Sequence, residues 1–317
     1  MHLPDKVRIV EVGPRDGLQS LGKWIETDVK VAMIDRLSAV GFPTIEVTGF
    51  VHPRFIPALR DAEEVCARIE RRPGITYRAL VPNARGAERA LPAKLDELLG
   101  LITVSETYLR KNQNMTTDEA VEQAASSFRI ADGAGLAYVQ AVGVALWCTY
   151  EGVIPDERSV ALVGRLRNAG IRRFYIAGSS GMEDPRQVGR VFGKLARAHP
   201  DCEFGYHVHN LSGMATANIL AALDAGATTI EGAICGIGGG VALPSAIGSV
   251  GNYPTEDLVT MLDLMGIGTG LDPAAVRAAA VDVASLIDVE PRSYAGAGAT
   301  RETVMERSLT HPETRSP

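Results

Sequence analysis

The sequence is poor in cysteine and in aromatic side chains. Aromatic residues make up 5% of the 317 positions, and cysteine occurs only four times. These cysteines are widely scattered and form none of the close pairs that mark a zinc ribbon or a redox dithiol; they are Cys66, Cys148, Cys202 and Cys235. We therefore expect reduced thiols in a cytoplasmic protein, because disulfides are rare in that compartment.

Basic charge and long apolar runs are also scarce. The formal net charge is -6, whereas a surface for nucleic acid or anionic lipid needs a concentrated basic face. No apolar run approaches the ~20 residues that span a bilayer, and residues 1–6 contain no apolar signal region. We expect a small molecule as the partner of this protein, with no role for nucleic acid or a membrane.

Apolar segments alternate regularly with helical patterns along the chain. Each apolar segment is followed by a polar turn and a helical pattern, and several helical patterns end in a glycine. The predicted strands cover residues 7–12, 44–47, 76–81, 97–103, 137–144, 173–176, 203–208 and 228–231. Parallel strands joined in this way predict an α/β protein with a (β/α)₈ TIM barrel, although an open doubly wound sheet is also compatible with the pattern.

The length of the chain fits one such barrel with a C-terminal addition. A barrel of this kind uses about 250 residues as a single unit. We predict a catalytic barrel over residues 1–270, a helical extension over 271–290 and a polar, mobile tail over 291–317. No segment has the composition of a linker that would divide the chain into two domains.

Polar side chains follow the first and seventh predicted strands. Arg15, Asp16 and Gln19 come directly after the first strand, and ligands of α/β proteins bind at the carboxyl ends of strands. His207 and His209 lie on the same face of the seventh strand, because side chains alternate along a strand. Asp16 alone is also compatible with a turn or a helix cap, and the histidine pair with a structural role. In a closed barrel these strand ends meet, which favours a metal site.

Two further features surround this site. Glycines recur between Gly236 and Gly251 after the eighth strand, and they indicate either simple turns or a backbone that closes on a ligand. Glu46 lies near the end of the second strand and points toward the barrel interior or mouth. A buried carboxylate needs a partner, and Arg15 is the candidate.

Eight motifs resemble the 3-hydroxy-3-methylglutaryl-CoA lyases, a branch of the DRE-TIM metallolyase superfamily of barrel enzymes. The resemblance extends from about residue 7 to residue 270 and is specific, because the motifs occur in the same order. They are Val10-Glu-Val-Gly-Pro-Arg-Asp-Gly-Leu-Gln19, Ile45-Glu-Val-Thr-Gly-Phe-Val51, Val81-Pro-Asn83, Ser105-Glu106, Cys148-Thr-Tyr-Glu-Gly152, His207-Val-His209, Gly236-Ile-Gly-Gly239 and Gly251-Asn-Tyr-Pro-Thr-Glu-Asp257.

This resemblance implies a divalent-metal-dependent carbon–carbon lyase that cleaves a 3-hydroxyacyl-CoA to acetyl-CoA and a keto acid. The implied catalytic residues are Arg15, Asp16, Glu46 and His207, with Arg15 stabilising the enolate. The implied ligands of Mg²⁺ or Mn²⁺ are Asp16, His207, His209 and Asn252. The implied cofactor-binding residues are Gln19, Asn83, Gly238 and Gly239. The resemblance also favours a homodimer.

Two departures from the family leave alternatives open. The family carries Gly-Leu-Gly-Gly-Cys-Pro after the eighth strand, whereas this chain has Gly240 in place of the cysteine. After the sixth strand the family carries Gly-Asp-Thr, and this chain has Gly178 in place of the acid. We expect metal binding to survive both changes. The alternatives are a lyase or aldolase acting on another hydroxyacyl-CoA or hydroxy acid, and a non-catalytic metal- or acyl-CoA-binding barrel. Cys235 lies near the loop and is a candidate substitute for the cysteine, although packing at the strand end is its expected role.

Overall fold

Eight parallel strands close into a barrel in the computed structural model, which describes residues 1–239, 251–298 and 300–310. The strands are β1 (Arg8–Glu11), β2 (Thr44–Gly49), β3 (Thr76–Val81), β4 (Glu97–Thr103), β5 (Ala137–Gly143), β6 (Arg173–Gly178), β7 (Glu203–Val208) and β8 (Thr229–Gly232). β1 pairs with both β8 and β2, so the sheet has no free edge. The predicted (β/α)₈ barrel is confirmed, and the open sheet is excluded.

Helices cover the outside of the barrel. They are α1 (Thr27–Val40), α2 (Ala62–Arg68), α3 (Ala84–Ala90), α4 (Glu106–Gln113), α5 (Thr117–Gly133), α6 (Asp156–Asn168), α7 (Pro185–Ala198), α8 (Ala215–Asp224), α9 (Thr255–Leu264), α10 (Pro273–Ile287) and α11 (Arg301–Thr310). A short antiparallel hairpin of Trp147–Cys148 and Gly152–Val153 follows β5.

Side-chain caps fix where several helices begin. Thr116 and Glu119 form a reciprocal capping box at the start of α5, which satisfies two backbone N–H groups that the helix cannot. Asp184 accepts from two backbone N–H groups at the start of α7, and Pro185 takes the first helical position, where no N–H is needed. The segment between β6 and α7 therefore has a fixed end.

The barrel interior is charged rather than purely aliphatic. Arg78, on β3, is fully buried and pairs with the carboxylates of Glu46 on β2 and Glu231 on β8. The ring centroid of Tyr175 lies 4.9 Å from its guanidinium carbon. Burying a cation is costly unless it is paired in this way. Arg78 thus links β3 to β2 and to β8 inside the barrel.

The C-terminal part of the chain packs onto the barrel helices. α10 lies in the predicted extension and packs against α1 and α9, and the presence of a C-terminal helix is confirmed. The structure also forms α11 within the segment for which we predicted a polar tail; the mobility of that segment stays a prediction. None of the described helices is long and apolar enough to cross a membrane.

Candidate active site

The turn after β1 presents Arg15 and Asp16 at the mouth of the barrel. Residues Gly13–Gly17 form one tight π-helical turn, and the amides of Arg15 and Asp16 both donate to the carbonyl of Val12, at 3.1 and 2.8 Å. Both side chains are nevertheless buried. The turn therefore places a cation and a carboxylate side by side, shielded from bulk water.

The two histidines of β7 face each other across a short gap. Nδ1 of His207 donates to Glu231 at 2.8 Å, and Nδ1 of His209 donates to the carbonyl of Ser179 at 2.9 Å. In neutral rings these Nδ1 contacts leave a lone pair on each Nε2 atom, and the two Nε2 atoms lie 3.0 Å apart. A metal ion, or a proton on one ring, removes the repulsion between two such lone pairs, and this pattern of supporting partners is typical of histidines that bind metal.

Asp16 completes the cluster. Its Oδ1 accepts from Arg15 Nη1 at 2.6 Å and from Gln19 Nε2 at 2.7 Å. Its Oδ2 accepts from Asn252 Nδ2 at 2.7 Å and lies 3.5 Å from His209 Nε2. The candidate ligand atoms of Asp16, His207 and His209 all lie within 4.8 Å of one another.

The chemistry of these donors fits a divalent cation. One carboxylate and two imidazoles converge, and Oδ1 of buried Asn252 has no hydrogen-bond partner in the part of the chain that the structure describes. Carboxylate and amide oxygens suit Mg²⁺ or Mn²⁺, and imidazole is acceptable to the latter. Asp16, His207, His209 and Asn252 are therefore the residues that would hold such an ion, as the resemblance implies. Their roles stay predictions.

Charged neighbours set the ionisation of the site. Burial would raise the pKa of Asp16, but the Arg15 guanidinium and the two histidines outweigh it, so that this pKa falls well below its usual range. Burial also opposes ionisation of Glu231, yet Arg78 and His207 lower its pKa to about 2. Asp16 is thus an anion at neutral pH, as a metal ligand must be.

His207 responds to the same carboxylates. Burial lowers the pKa of its imidazolium, but Glu231 and Asp16 outweigh burial and raise that pKa. Glu231 therefore has two effects on His207. It fixes the ring through Nδ1, and it increases the basicity of the ring and so its strength as a ligand.

A network of ion pairs holds the Arg15 guanidinium in place. Nε of Arg15 donates to Glu46, whose other oxygen accepts from Arg78. The Arg15–Glu46 pair that a buried Glu46 would need is present. Arg78 also pairs with Glu231. The buried Arg78 guanidinium therefore links Glu46, the partner of Arg15, to Glu231, the partner of His207.

Comparison with known proteins identifies the family. The family model described as HMGL-like matches residues 6–283. The chain belongs to the HMGL-like family. The hydroxymethylglutaryl-CoA lyase YngG of Bacillus subtilis is 41% identical over 271 residues, which cover 86% of this chain and 90% of the relative. The mitochondrial hydroxymethylglutaryl-CoA lyase of Mus musculus is 36% identical over 270 residues, covering 85% and 82%.

Solved structures agree with this assignment. The crystal structure of the Bacillus subtilis HMG-CoA lyase has a TM-score of 0.88 at 37% identity and covers 97% of this chain and 100% of that one. An HMG-CoA lyase from Acinetobacter baumannii, in complex with coenzyme A and 3-methylmalate, has a TM-score of 0.88 at 33% identity, covering 94% and 96%. As an HMGL-like protein with such relatives, the chain is a carbon–carbon lyase.

Of the four predicted cofactor-binding residues of this HMGL-like protein, three lie beside the cluster and one does not. Gln19 contacts Asp16 directly. Gly238 has φ +115°, and a side chain there would overlap the Asn252 carboxamide, so only glycine fits. The carbonyl of Gly239 accepts from the Ser20 hydroxyl. Asn83 does not contact this cluster: its carboxamide oxygen accepts from the Gly86 amide and caps α3. Gly240 lies outside the described residues.

Sequence reasoning missed several supporting residues. Glu231 is the one charged residue of β8, and side-chain alternation along that strand, which places it on the barrel-facing side, was a usable signal. Ser179 contributes only a backbone carbonyl, for which a sequence carries no signal. Arg78 was not recognised because an arginine inside a strand pattern usually faces solvent.

Proposed function

We propose that this protein cleaves 3-hydroxy-3-methylglutaryl-CoA to acetyl-CoA and acetoacetate with Mg²⁺ or Mn²⁺ as cofactor. The observation that carries the proposal is the convergence of two histidine Nε2 atoms and one Asp16 oxygen. The Arg15 guanidinium lies beside them and donates to the same carboxylate. Relatives at 36% to 41% identity that are named for this reaction support the substrate.

The reaction needs charge stabilisation at two places. A base takes the proton of the substrate hydroxyl, the C2–C3 bond breaks, and its electron pair forms a thioester enolate while the carbinol carbon becomes a ketone. When bound, the metal ion would acidify the hydroxyl and orient the substrate. Asp16, His207, His209 and Asn252 would hold it, and Arg15 would donate hydrogen bonds where negative charge grows. Glu46 would act by positioning Arg15.

The residues of the glycine-rich segment and the first turn would bind the substrate. We assign Gln19, Gly238 and Gly239 to this role because they lie next to Asp16 or Ser20 at the barrel mouth. Asn83 keeps the same assignment only by resemblance, because its carboxamide already caps α3.

Protonation of the enolate carbon needs an acid other than the family's cysteine. Gly240 has no side chain to donate from, and Cys235 is a poor substitute. Its thiol donates to the carbonyl of Ala280 on α10 at 3.2 Å, and burial raises its pKa well above the usual range. We propose that water or another acid protonates the enolate, and that Cys235 packs between barrel and helix.

A second candidate is the same bond cleavage on another hydroxyacyl-CoA or hydroxy acid. The changes at Gly178 and Gly240 favour it, since each replaces a residue type that the family motifs carry after a strand. The Acinetobacter baumannii lyase that holds coenzyme A and 3-methylmalate also indicates which ligands a relative with this fold accepts. A barrel that binds metal or acyl-CoA without cleaving it is the least supported alternative.

We also propose a homodimer located in the cytoplasm. The family resemblance supports the dimer, and the scattered, unpaired cysteines support the compartment. Sedimentation equilibrium of the purified protein measures the oligomeric state, and a monomer at micromolar concentration would contradict the homodimer. Fractionation of cells that express the full chain measures the compartment.

The test of function is an assay of purified, metal-loaded protein. Acetyl-CoA and acetoacetate are measured with hydroxymethylglutaryl-CoA as substrate, with and without a chelator, and His207→Ala serves as the inactive control. Equimolar, chelator-sensitive release of both products supports the proposal. No release from protein that holds one metal ion per chain, with turnover of the thioester of 3-methylmalate or another hydroxyacyl-CoA, supports the second candidate. Binding without any cleavage supports the non-catalytic barrel.

A further inference from the structure

A buried carboxyl group fills the space beside Gly178. Glu183, in the segment between β6 and α7, is 1% exposed. A side chain at position 178 would begin 2.5 Å from Cδ of Glu183 and would overlap one of its carboxyl oxygens. Glu183 in this position therefore requires glycine at position 178, because a side chain there would occupy the space of its carboxyl group.

Hydrogen bonds fix Glu183 at both its side chain and its backbone. Oε1 accepts from the hydroxyl of Tyr206 at 2.7 Å, and Tyr206 directly precedes His207 on β7. The backbone carbonyl of Glu183 accepts from Asn218 on α8 at 3.0 Å. Oε2 is buried and has no hydrogen-bond partner among the described residues. Burial raises the pKa of this carboxyl, which favours the neutral acid.

The segment that Glu183 fixes also supports a candidate metal ligand. The carbonyl of Ser179 accepts from Nδ1 of His209 at 2.9 Å, and this bond determines that the lone pair of His209 lies on Nε2. The hydroxyl of Ser179 accepts from the Val144 amide at 2.9 Å, and Gly181 packs against the His209 backbone. A movement of this segment would therefore release the ring of His209.

We propose that Glu183 is a positioning residue for His209 and supplies, from the loop, the carboxyl group that the family carries at position 178. It fills the space beside Gly178, anchors the segment to Tyr206 and Asn218, and so holds the Ser179 carbonyl against the His209 ring. It touches neither metal nor substrate. This inference rests on the proposed metal site.

The test moves the carboxyl group between the two positions. Mn²⁺ affinity is measured by titration calorimetry for the wild type, Glu183→Ala, Gly178→Asp and the double variant Gly178→Asp/Glu183→Ala. Each single change should weaken Mn²⁺ binding about tenfold or more. Glu183→Ala removes the carboxyl group that Tyr206 binds, and Gly178→Asp introduces a side chain that overlaps the carboxyl group of Glu183. The double variant should recover to within about threefold of the wild type, since one carboxyl again occupies the space.

A second measurement separates positioning from general destabilisation. In metal-free protein labelled at histidine nitrogens, NMR should show one tautomer for His209, with the proton on Nδ1, and a mixture in Glu183→Ala. Glu183→Gln keeps the shape and the acceptor for Tyr206, so it should retain both the tautomer and the affinity.

The outcomes distinguish this inference from the proposed function. A wild type that does not bind Mn²⁺ would overturn the metal site itself. Normal Mn²⁺ affinity in Glu183→Ala, an unchanged His209 tautomer, or a double variant no better than its single variants would overturn the role of Glu183 while the metal site stands.

Discussion

Glu231 is the residue on which the orientation of His207 most depends. Its carboxylate accepts from Nδ1 of His207 and is itself held by Arg78. In Glu231→Gln an amide replaces the anion, so the ring loses both a fixed tautomer and its raised basicity. We expect Mn²⁺ affinity to fall about 10- to 100-fold by titration calorimetry. Glu203→Gln, an exposed change at the start of the neighbouring strand β7, is the control. Equal affinity in both variants would contradict this role.

Arg15 should matter for turnover more than for metal content. In Arg15→Met the candidate ligand atoms remain, so we expect one metal ion per chain at pH 8. The enolate loses its nearest cation, and kcat should fall about 10²- to 10³-fold in the acetyl-CoA assay. Arg15→Lys keeps the charge but cannot donate to Asp16 and Glu46 at once as a planar fork, and it should also be slow. A fully active methionine variant would remove Arg15 from the reaction.

At this scale the sequence predicted the side chains that meet and the Arg15–Glu46 pair, and missed the other groups that support them. Alternation on a strand was sufficient to pair His207 with His209, and closure of a barrel was sufficient to bring Asp16 to them. The contacts of Glu183 and the carbonyl of Ser179 depend on how a loop folds back, and no periodicity records that. Supporting groups of this kind become visible only in three dimensions.

At the scale of elements, hydrogen bonds of Glu11 connect β1 to the segment after β8 and to the start of α9. This residue ends β1, and its carboxyl accepts from the amide of Gly13 at 2.7 Å and from the amide of Ile234, after β8, at 2.9 Å. The hydroxyl of Thr255, at the start of α9, donates to its other oxygen at 2.7 Å. Burial outweighs these hydrogen bonds and raises the pKa of Glu11 to about 8.

This raised pKa predicts how stability depends on pH. The folded state keeps the Glu11 proton up to about pH 8, whereas the unfolded chain releases it near the ordinary glutamate pKa of 4.5. The contribution of neutral Glu11 is therefore full below pH 4.5 and is lost as pH rises toward 8. Relative to Glu11→Gln, which does not titrate, wild-type stability should fall by up to ~1.4 kcal/mol per pH unit. Urea unfolding of both proteins at several pH values measures this, and a constant difference would contradict it.

All eight barrel strands were predicted from the sequence, whereas one helix and a short hairpin that follow β4 and β5 were missed. β3, β4 and β7 have the predicted bounds, because their apolar runs are buried on both faces and end at polar turns. α4 was missed because it is polar and mostly exposed, and its start is set by the Ser105 hydroxyl, which accepts from the Tyr108 amide. The hairpin after β5 was missed because its strands are only two residues long.

At the scale of the whole molecule, the proposed metal site lies at the rim of a barrel that does not need it. Closure depends on backbone pairing of β1 with β8 and β2, and the core is one hydrophobic cluster that extends from the strands to the outer helices. Arg78 already pairs with the interior carboxylates of Glu46 and Glu231, and Arg15 also pairs with Glu46. The metal-free protein should therefore stay folded, in contrast to small domains that fold only with their metal.

Metal removal should nevertheless lower the melting temperature. An ion that binds only the folded state stabilises it by about 2.7 kcal/mol at a concentration 100 times its Kd, which for a protein of this size corresponds to several degrees. We expect Mn²⁺ to raise the melting temperature of the wild type in differential scanning calorimetry and a chelator to reverse the rise, with an unchanged far-ultraviolet circular dichroism spectrum at 25 °C. Asp16→Asn should show neither shift, because it lacks a ligand charge. Equal shifts in the two proteins would mean that Mn²⁺ binds elsewhere on the molecule.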